Sequence, residues 1–382
     1  MLKFVFAPDS FKGSLSAMEI CDMLTKAAKR HFPEAETKSL PVADGGEGTV
    51  DALVPATGGE KEMVQVTGPM GEKVQTEFGV LPDKRIVVME MAQASGLALV
   101  PAGELNPLKA SSFGTGEMLA VALDKGFRHI LLGIGGSATN DGGMGMLTAL
   151  GARFFDEKGE KLVGSGAELE RVKAVDFSNL HRAFSQAEIT VLCDVSNPLL
   201  GETGATAIYG PQKGADAKMR VALERGMVQY AAVVSKAVDH DIANFPGAGA
   251  AGGMGAALKG VLGAKLMPGI AAVLDTMGFE EWIEDANLVI TGEGRIDGQS
   301  IRFGKVAAGV AKRCAKMNVP VIAIAGGMAD GAEELYTLAE ASIITTINAA
   351  MPVEEAMQNA HTLFENAADR LFRMLKIGRR LG

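Results

Sequence analysis

The sequence predicts an α/β fold of two domains, in which strands and helices alternate along the chain. The chain has 382 residues, enough for two domains that each bury a sizeable core. The N-terminal segment shows the pattern of a strand, a helix and a second strand, and the C-terminal third repeats this alternation. Such alternation is typical of a parallel sheet covered by helices.

The N-terminal elements follow from local signals. Lys3–Ala7 has the composition of a short buried strand, and Ser16–Glu19 has the form of a capping box that starts a helix. Thr37–Ala43 is predicted to be a second strand that stops at Asp44-Gly45-Gly46, and Val50–Val54 marks another short helix. This strand–helix–strand unit is the beginning of a parallel sheet.

The C-terminal third shows the same order of elements. A strand at Asn287–Ile290 is expected to open onto a glycine-rich loop at Thr291–Asp297. The further elements predicted there are a helix at Lys305–Met317, strands at Pro320–Ala325 and Ala341–Ile347, and a helix at Val353–Leu375.

The middle of the chain has a different pattern of predicted elements. Lys61–Val88 alternates like β-structure, a helix is predicted near Gly116–Lys125, and strands are predicted at His129–Leu132 and Ile189–Cys193. Each chain end supplies too few strands for a stable sheet, so we expect the two ends to join. The predicted domains are therefore 1–62 plus 285–382, with 63–284 as an inserted mixed α/β domain.

Composition excludes several classes of function. The net charge is −9 and no run of Lys or Arg occurs, so a nucleic-acid footprint is absent. Every long apolar stretch is interrupted before it reaches membrane-spanning length. The three cysteines show no metal-binding spacing and are expected to be reduced thiols. With a strand directly at the N-terminus and no leader pattern, a cytoplasmic location is expected.

The chemically informative pattern is a recurrence at predicted strand ends. Five strands pass at once into glycine, small polar residues and a carboxylate. These places are Ala7–Gly13, Asp44–Gly48, Gly135–Gly143, Asp194 and Thr291–Asp297. Ligands of parallel α/β sheets bind outside the carboxyl ends of the strands, where glycine-rich loops attract anions. The carboxylates also favour a hard cation such as Mg²⁺, which is held together with phosphates.

Three cations among these segments suit a phosphate ligand. Lys12 lies in the first loop, Arg295 lies between Glu293 and Asp297, and Lys305 lies near a predicted helix start. An arginine can hold a phosphate or a carboxylate through two parallel hydrogen bonds.

Other standard motifs are absent or incomplete. A Walker A motif does not occur, because Gly304-Lys305 is followed by Val306. A dinucleotide-binding GxGxxA pattern does occur at Gly133, Gly135 and Ala138, with Asp156 at a suitable distance. An NAD(P)-dependent oxidoreductase of a small hydroxy acid therefore stays an alternative, as does a non-catalytic nucleotide- or anion-binding protein. The histidines are scattered and no GxSxG elbow is present, which disfavours a Ser–His–Asp hydrolase.

At these loops the sequence resembles the class I glycerate kinases of bacteria. The segments that carry the resemblance are APDSFKGSLSA (7–17), PVADGGEGT (41–49), IGGSATNDGG (134–143), CDVSNPLLG (193–201), GPQKGA (210–215), GAGAAGGMG (247–255) and VITGEGRIDGQS (289–300). They follow one another in family order across nearly the whole chain. The resemblance implies a two-domain α/β fold, with one Rossmann-like domain that has a parallel sheet and is discontinuous in sequence.

The resemblance also implies an activity, which is ATP-dependent phosphorylation of D-glycerate to 2-phosphoglycerate with release of ADP. Mg²⁺ would be the cofactor, and the reaction would serve glyoxylate and sugar-acid metabolism. ATP and D-glycerate would be the binding partners, without nucleic acid or membrane, and the chain could form a homodimer.

The chemistry of phosphoryl transfer assigns hypothetical roles to the loop residues. We expect Lys12 and Arg295 to neutralise transferring charge and Asp194 to act as the base for the acceptor hydroxyl. Glu293, Asp44 and Asp141 are candidate Mg²⁺ ligands. The candidate substrate- and phosphate-binding residues are Asp9, Ser10, Ser137, Asn140, Asn197, Lys213, Gly292, Gly294 and Lys305.

Overall fold

The structure is a computed structural model that describes residues 1–46, 48–82 and 86–380. Glu47, part of the predicted loop at Asp44–Gly48, lies outside the described residues. The strands are β1 (Lys3–Pro8), β2 (Glu36–Ser39), β3 (Glu60–Thr67), β4 (Lys73–Leu81), β5 (Ile86–Glu90), β6 (His129–Gly133), β7 (Arg153–Phe155), β8 (Lys161–Leu162), β9 (Ala174–Asp176), β10 (Glu188–Leu192), β11 (Lys265–Met267), β12 (Leu288–Ile296), β13 (Val321–Met328) and β14 (Ala341–Thr345).

The α-helices are α1 (Ala17–His31), α2 (Thr49–Thr57), α3 (Ala92–Ser95), α4 (Phe113–Asp124), α5 (Met144–Ala149), α6 (Ala205–Tyr209), α7 (Ala217–Val238), α8 (Ala250–Gly260), α9 (Gly269–Met277), α10 (Phe279–Ile283), α11 (Gly298–Arg302), α12 (Val306–Lys316), α13 (Val353–Gln358) and α14 (Ala360–Gly378). Short 3₁₀ helices lie at Leu97–Leu99, Ala102–Glu104, Gly166–Arg171, Arg182–Gln186, Pro211–Lys213 and Ala332–Thr337. Across the described ranges, no helix combines the length and the apolar character needed to cross a membrane.

The chain divides into two compact units. The first unit comprises Met1–Asp44, Asp51–Thr57 and Pro268–Gly382, and the second comprises Gly45–Val50 and Gly58–Met267. Residues 268–284 lie in the first unit, where Arg313 of α12 forms ion pairs with Asp275 and Glu280. The domain boundaries expected from the sequence, at 62/63 and 284/285, stay a prediction.

The first unit is built on a five-stranded sheet in the order β14-β13-β12-β1-β2. Every neighbouring pair is parallel, and β1 lies between β12 and β2, with Phe4 opposite Leu288 on one side and Thr37 on the other. The strands of the two chain ends thus form one sheet, as the strand count predicts. The predicted α/β fold class is confirmed.

The second strand is shorter than predicted. The expected strand Thr37–Ala43 is β2 at Glu36–Ser39. The N–H groups of Leu40 and Val42 still donate to the carbonyls of Phe6 and Pro8, at 2.8 and 3.0 Å. Pro41 lies between them and has no N–H to donate, so the segment follows β1 without extending the regular strand.

The predicted loop at Thr291–Asp297 is wrong, because the strand continues through it. β12 runs to Ile296 and stays paired with β13 up to Ile296 opposite Met328. Glycines make this close pairing feasible. A Cβ on Gly292 would lie 2.2 Å from the Ile324 carbonyl oxygen, and one on Gly326 would lie 2.5 Å from that of Gly294.

The predicted helix Val353–Leu375 is two helices, α13 and α14, which meet at Asn359. The Asn359 side-chain amide donates to the Glu355 carbonyl at 3.0 Å, and so does its backbone N–H. A side chain that bonds to the preceding turn competes with regular helix continuation, which accounts for the break.

One face of this sheet is covered by α1 and α14 through an aromatic cluster. The Phe372 ring is fully buried and meets the rings of Phe4, Phe6 and Phe32 edge-on, at centroid distances of 5.5, 6.3 and 6.4 Å. α1 starts at the predicted capping box, in which Ser16 accepts from the Glu19 N–H. The cluster fixes both helices against the strands that lead to the site.

The second unit is built on a six-stranded mixed sheet in the order β11-β10-β6-β5-β4-β3. Its pairs from β11 to β5 are parallel, whereas β5, β4 and β3 form antiparallel pairs. A separate antiparallel sheet has the order β8-β7-β9. Tyr230 and Phe154 are fully buried in this unit, and the Tyr230 hydroxyl donates to the Gly142 carbonyl at 3.0 Å.

Phe372→Ala should destabilise the first unit, because it removes three ring contacts and leaves a cavity beneath α14. We expect the free energy of unfolding to fall by about 3–5 kcal/mol. Urea unfolding followed by circular dichroism measures this change. Met374→Ala on the exposed side of the same helix is the control, and should change the value by about 0.5 kcal/mol or less. Equal effects of the two variants would contradict the assigned core.

Candidate functional site

A cavity of about 620 Å³ opens in the first unit at the carboxyl ends of its strands. Its walls come from the segments that follow β1 and β14, the ends of β12 and β13, and the helices α13 and α14. The lining residues are Asp9, Ser10, Phe11, Lys12, Ser14, Asp44, Glu293, Gly294, Arg295, Lys305, Gly326, Gly327, Met328, Ala329, Thr346, Ile347, Val353, Ala356, Met357 and Ala360.

The loop after β1 is held in a tight turn. The Asp9 N–H donates to the Gly292 carbonyl at 2.8 Å, and the Phe11 and Leu15 backbones bond to each other. Gly13 has a φ of +78°, in the left-handed region that favours glycine. The Phe11 ring is buried edge-on against Phe364 at 5.5 Å. The turn therefore presents Ser10 and Lys12 to the cavity on a fixed base.

Three carboxylates face this cavity. Burial, followed by the charge of Asp44, raises the pKa of Asp9 to about 7, although hydrogen bonds from Ser10 and the charge of Lys12 oppose the rise. Burial likewise raises the pKa of Glu293 to about 7, and the charges of Asp9 and Asp44 add to the effect. Burial beside other carboxylates thus favours the protonated forms of Asp9 and Glu293.

Glu293 also anchors the helix that follows. Its Oε1 accepts from the Ala307 N–H at 3.1 Å, in the first turn of α12. A carboxylate there satisfies a free helical N–H and complements the positive end of the helix dipole. The contact joins the end of β12 to the start of α12, which places Lys305 at the cavity wall.

The predicted cations Lys12, Arg295 and Lys305 all line the cavity. Burial disfavours the charged form of Lys12, but the charges of Asp44, Asp9 and Glu293 outweigh it and raise the pKa of this ammonium. The Lys12 Nζ lies 3.7 Å from Asp44 Oδ2. The Arg295 guanidinium stays exposed beside Asp297, with Nε 3.4 Å from Oδ2.

The donor set of this cavity fits Mg²⁺. Within the described residues, no three His, Cys, Asp or Glu side chains form a group that could hold a metal ion by themselves. Mg²⁺ bound beside phosphates typically takes only one or two carboxylates and completes its shell with water and phosphate oxygens. Asp44 and Glu293 line one cavity and can supply such oxygens.

The second unit contains a buried lysine. Lys213 is 1% exposed, and its Nζ donates to Ser137 Oγ and to the Thr139 carbonyl, both at 2.7 Å. Burial lowers the pKa of this ammonium to about 7, which the charge of Asp141 opposes. Lys213 therefore fixes the loop after β6 by bonds to neutral oxygens.

Asp141 is fully buried and accepts four hydrogen bonds. Ser112 donates through its N–H at 2.8 Å and its hydroxyl at 2.7 Å, and the N–H groups of Gly143 and Gly145 donate at 3.0 and 3.2 Å. Burial raises the pKa of this carboxyl in spite of these bonds. Through these contacts Asp141 holds the loop that follows β6. Its role as a metal ligand stays a prediction.

Other predicted residues of this unit have contacts of their own. Asn197 accepts from the Tyr209 hydroxyl at 2.7 Å and donates to the Thr203 carbonyl at 2.8 Å. Asn140 donates to Thr206 Oγ1 at 3.1 Å. Asp194 is half-buried, two residues beyond β10. Within the described part of the chain, Asn140 Oδ1 and Thr139 Oγ1 are buried and have no hydrogen-bond partner.

The dinucleotide-binding pattern does not meet its structural requirement. β6 ends at Gly133, but the next helix, α5, begins only at Met144 after Gly143 in the left-handed region. A Rossmann fingerprint needs a helix that starts within the glycine motif and points its N-terminus at the pyrophosphate. Residues 134–143 form a loop instead.

The structure brings together Asp9, Ser10, Lys12, Asp44, Glu293, Gly294, Arg295 and Lys305 in the first unit, and Ser137, Asn140, Asp141 and Lys213 in the second. Gly292 lies in β12, and its carbonyl accepts from Asp9. Sequence reasoning missed Ser112, whose role depends on a contact across 29 positions, and the apolar cavity residues Met328 and Met357.

Comparison with known proteins identifies the family of this chain. Residues 4–376 match the Glycerate kinase family, and the chain belongs to that family. It is 46% identical to the glycerate 2-kinase of Escherichia coli, over 99% of both chains. It is 45% identical to the glycerate kinase of Halalkalibacterium halodurans, over 96% of this chain and 97% of the relative. A crystal structure from Salmonella typhimurium LT2, described provisionally as glycerate kinase 2, has a TM-score of 0.89 at 45% identity and covers 99% of both chains.

Asp9→Asn should change how the stability of the protein depends on pH. With its pKa raised to about 7, Asp9 keeps its proton in the folded state between pH 4 and 7, where the unfolded chain releases it. The free energy of unfolding contributed by Asp9 therefore falls as the pH rises through this window. Asparagine keeps an oxygen that can accept from the Ser10 N–H, without the charge.

Between pH 5 and pH 8 the variant should gain about 2 kcal/mol or more relative to the wild type, measured by urea unfolding without nucleotide or Mg²⁺. The exposed Asp22→Asn on α1 is the matched control and should track the wild type at both values. A difference between Asp9→Asn and wild type that is the same at pH 5 and pH 8 would contradict the assigned electrostatics.

Proposed function

We propose that this protein is a glycerate 2-kinase, which transfers the γ-phosphoryl group of ATP to the 2-hydroxyl of D-glycerate and releases 2-phosphoglycerate and ADP. Membership of the Glycerate kinase family and the similarity to the Escherichia coli enzyme support this activity. The observation that carries it in the structure is the cavity of the first unit, where three cations and three carboxylates converge at strand ends.

The cations suit the triphosphate. Lys12, Arg295 and Lys305 lie on the cavity wall, and charge developing on a transferring phosphoryl group is neutralised by such positioned groups. Lys12 keeps its proton firmly, because the neighbouring carboxylates raise its pKa. Ser10 and Gly294 lie beside these cations and are assigned to phosphate binding, the first by its hydroxyl and the second by close backbone approach.

Asp44 and Glu293 are the residues that would hold Mg²⁺, with Asp9 adjacent. Bound there, the ion supplies positive charge against both the phosphates and the carboxylates. The carboxylates lie beside three cations on one cavity wall, as a site for Mg²⁺ with phosphates requires. A cation bound there would favour the ionised forms of Asp9 and Glu293. We assign Asp141 to holding its loop, because its oxygens already accept four hydrogen bonds.

The residues of the second unit are assigned to the acceptor substrate. Asp194 is the proposed base for the glycerate hydroxyl, and Ser137, Asn140 and Asn197 are proposed to bind its oxygens. Lys213 keeps Ser137 in place, since its ammonium donates to that hydroxyl. The Ser137 hydroxyl hydrogen is then free to be donated elsewhere, because the oxygen already accepts from Lys213.

A cytoplasmic location is part of the same proposal. All three cysteines are free, and burial raises the pKa of Cys21 and of Cys314 to about 12, as suits unreactive thiols in a reducing cytoplasm. A homodimer is the proposed assembly, and glyoxylate and sugar-acid metabolism would supply the glycerate.

The decisive experiment measures ADP release from ATP and Mg²⁺ with and without D-glycerate. Glycerate-dependent turnover, with 2-phosphoglycerate identified by phosphorus NMR, is the expected result. Binding of ATP without turnover would instead indicate a non-catalytic nucleotide-binding protein. Reduction of NAD(P)⁺ by a hydroxy acid would indicate an oxidoreductase, and formation of 3-phosphoglycerate would overturn the assigned acceptor hydroxyl.

Lys12→Met should remove charge neutralisation at the transferring group while keeping the length of the side chain. We expect kcat to fall by about 10²–10³-fold with a smaller change in the KM for ATP. The exposed Lys26→Met on α1 is the matched control and should keep wild-type kcat. A normal kcat with only a raised KM would place Lys12 outside the chemical step.

A further inference from the structure

The cavity of the first unit has an apolar wall that its phosphate chemistry does not explain. Met328 and Met357 are each 44% exposed and Val353 is 69% exposed, and all three line the cavity. Ile347 and Ala356 lie on the same wall. Large, exposed apolar side chains that line one cavity, rather than being scattered singly, mark a surface that a ligand covers.

The wall stands against the loop that carries Lys12. The Met357 methyl group lies 3.1 Å from the position that a Cβ on Gly13 would take, so the loop and α13 are in close contact. Gly327, near the end of β13, also lines the cavity. A Cβ on Gly327 would meet no atom within 4 Å, so the space above this glycine is open.

The charged and the apolar residues that line the cavity suit different parts of one ligand. The charged side carries Lys12, Arg295 and Lys305 with the three carboxylates, and suits phosphates with a divalent cation. The apolar wall suits a flat, weakly polar ring. Glycerate is a three-carbon hydroxy acid with no apolar part, and it would leave both the wall and most of the 620 Å³ unfilled.

We propose that the wall formed by Met328, Ile347, Val353 and Met357 binds the base of ATP above Gly327, with the triphosphate directed to Lys12 and Lys305. This assignment rests on the proposed kinase function and makes the first unit the nucleotide-binding unit. Methionine side chains suit the role, because their polarizable sulfur makes favourable contacts with aromatic rings.

Gly327→Val tests the proposal directly. The new side chain enters open space and valine suits a strand, so the unit should fold normally. We expect the KM for ATP to rise about tenfold or more, with the KM for D-glycerate unchanged. Gly103→Val is the matched control, since a Cβ at this exposed glycine of the second unit also meets no atom within 4 Å; it should leave both constants unchanged.

A second measurement separates the base from the phosphates. Adenosine and inorganic tripolyphosphate are each used as competitive inhibitors against ATP. Gly327→Val and Met357→Ala should weaken inhibition by adenosine and leave inhibition by tripolyphosphate intact, whereas Lys305→Met should do the reverse. Isothermal titration with ADP provides the same comparison without turnover, so it stays informative if glycerate is not the acceptor.

The outcomes are distinct. A wild-type KM for ATP in Gly327→Val, or a rise in the KM for D-glycerate alone, would overturn the base site while leaving the kinase assignment standing. Loss of tripolyphosphate inhibition in the wall variants would also overturn it. Weakened ADP binding in Gly327→Val, in a protein that does not phosphorylate glycerate, would sustain the nucleotide site and refute the proposed substrate.

Discussion

Burial of carboxylates beside one cavity is the constraint on which the site of the first unit depends. Asp9, Asp44 and Glu293 face one cavity, and their charges add to burial in raising the pKa of Asp9 and Glu293 to about 7. Folding tolerates this arrangement because the two buried carboxylates each accept a hydrogen bond. Asp9 accepts from the Ser10 N–H, and Glu293 accepts from the Ala307 N–H. A cation bound in the cavity would favour the ionised forms of Asp9 and Glu293, whose pKa values burial raises. Gly292 and Gly326 permit the close pairing of β12 with β13 that carries Glu293 to the cavity.

The second unit buries a lysine, where the first unit buries carboxylates. Lys213 is a buried lysine whose two hydrogen bonds go to neutral oxygens, and the charge of Asp141 opposes the effect of burial on its pKa. Its pKa therefore falls to about 7, whereas the pKa of Lys12 rises among carboxylates. The same residue type thus has a raised pKa among carboxylates in one unit and a pKa lowered by burial in the other. Environment, rather than residue identity, decides the role of each lysine.

Much of the fold and the site could be predicted from the sequence. Strand–helix alternation gave the parallel sheet shared by the two chain ends, and the rule that strand carboxyl ends meet at one edge placed Lys12, Glu293 and Arg295 around one cavity. Contacts between residues that are far apart in the sequence could not be predicted. The glycines of Thr291–Asp297 looked like a turn, because only the position of Ile324 on the neighbouring strand shows that they permit close pairing. The burial of Lys213 likewise depends on Ser137, which is 76 positions away.

The break at Asn359 has a consequence for how the cavity is filled. α13 has six residues and no buried side chain, and it is set apart from α14 by that break. The free energy that holds a segment in place grows with the apolar area it buries, so this short helix is held far more weakly than α14, which buries Leu363, Phe364 and Phe372. α13 can therefore detach more readily than α14, and its detachment would leave the aromatic core beneath α14 intact. Two adjacent helices thus differ in how firmly they are held, since α14 is fixed by its aromatic core and α13 is not.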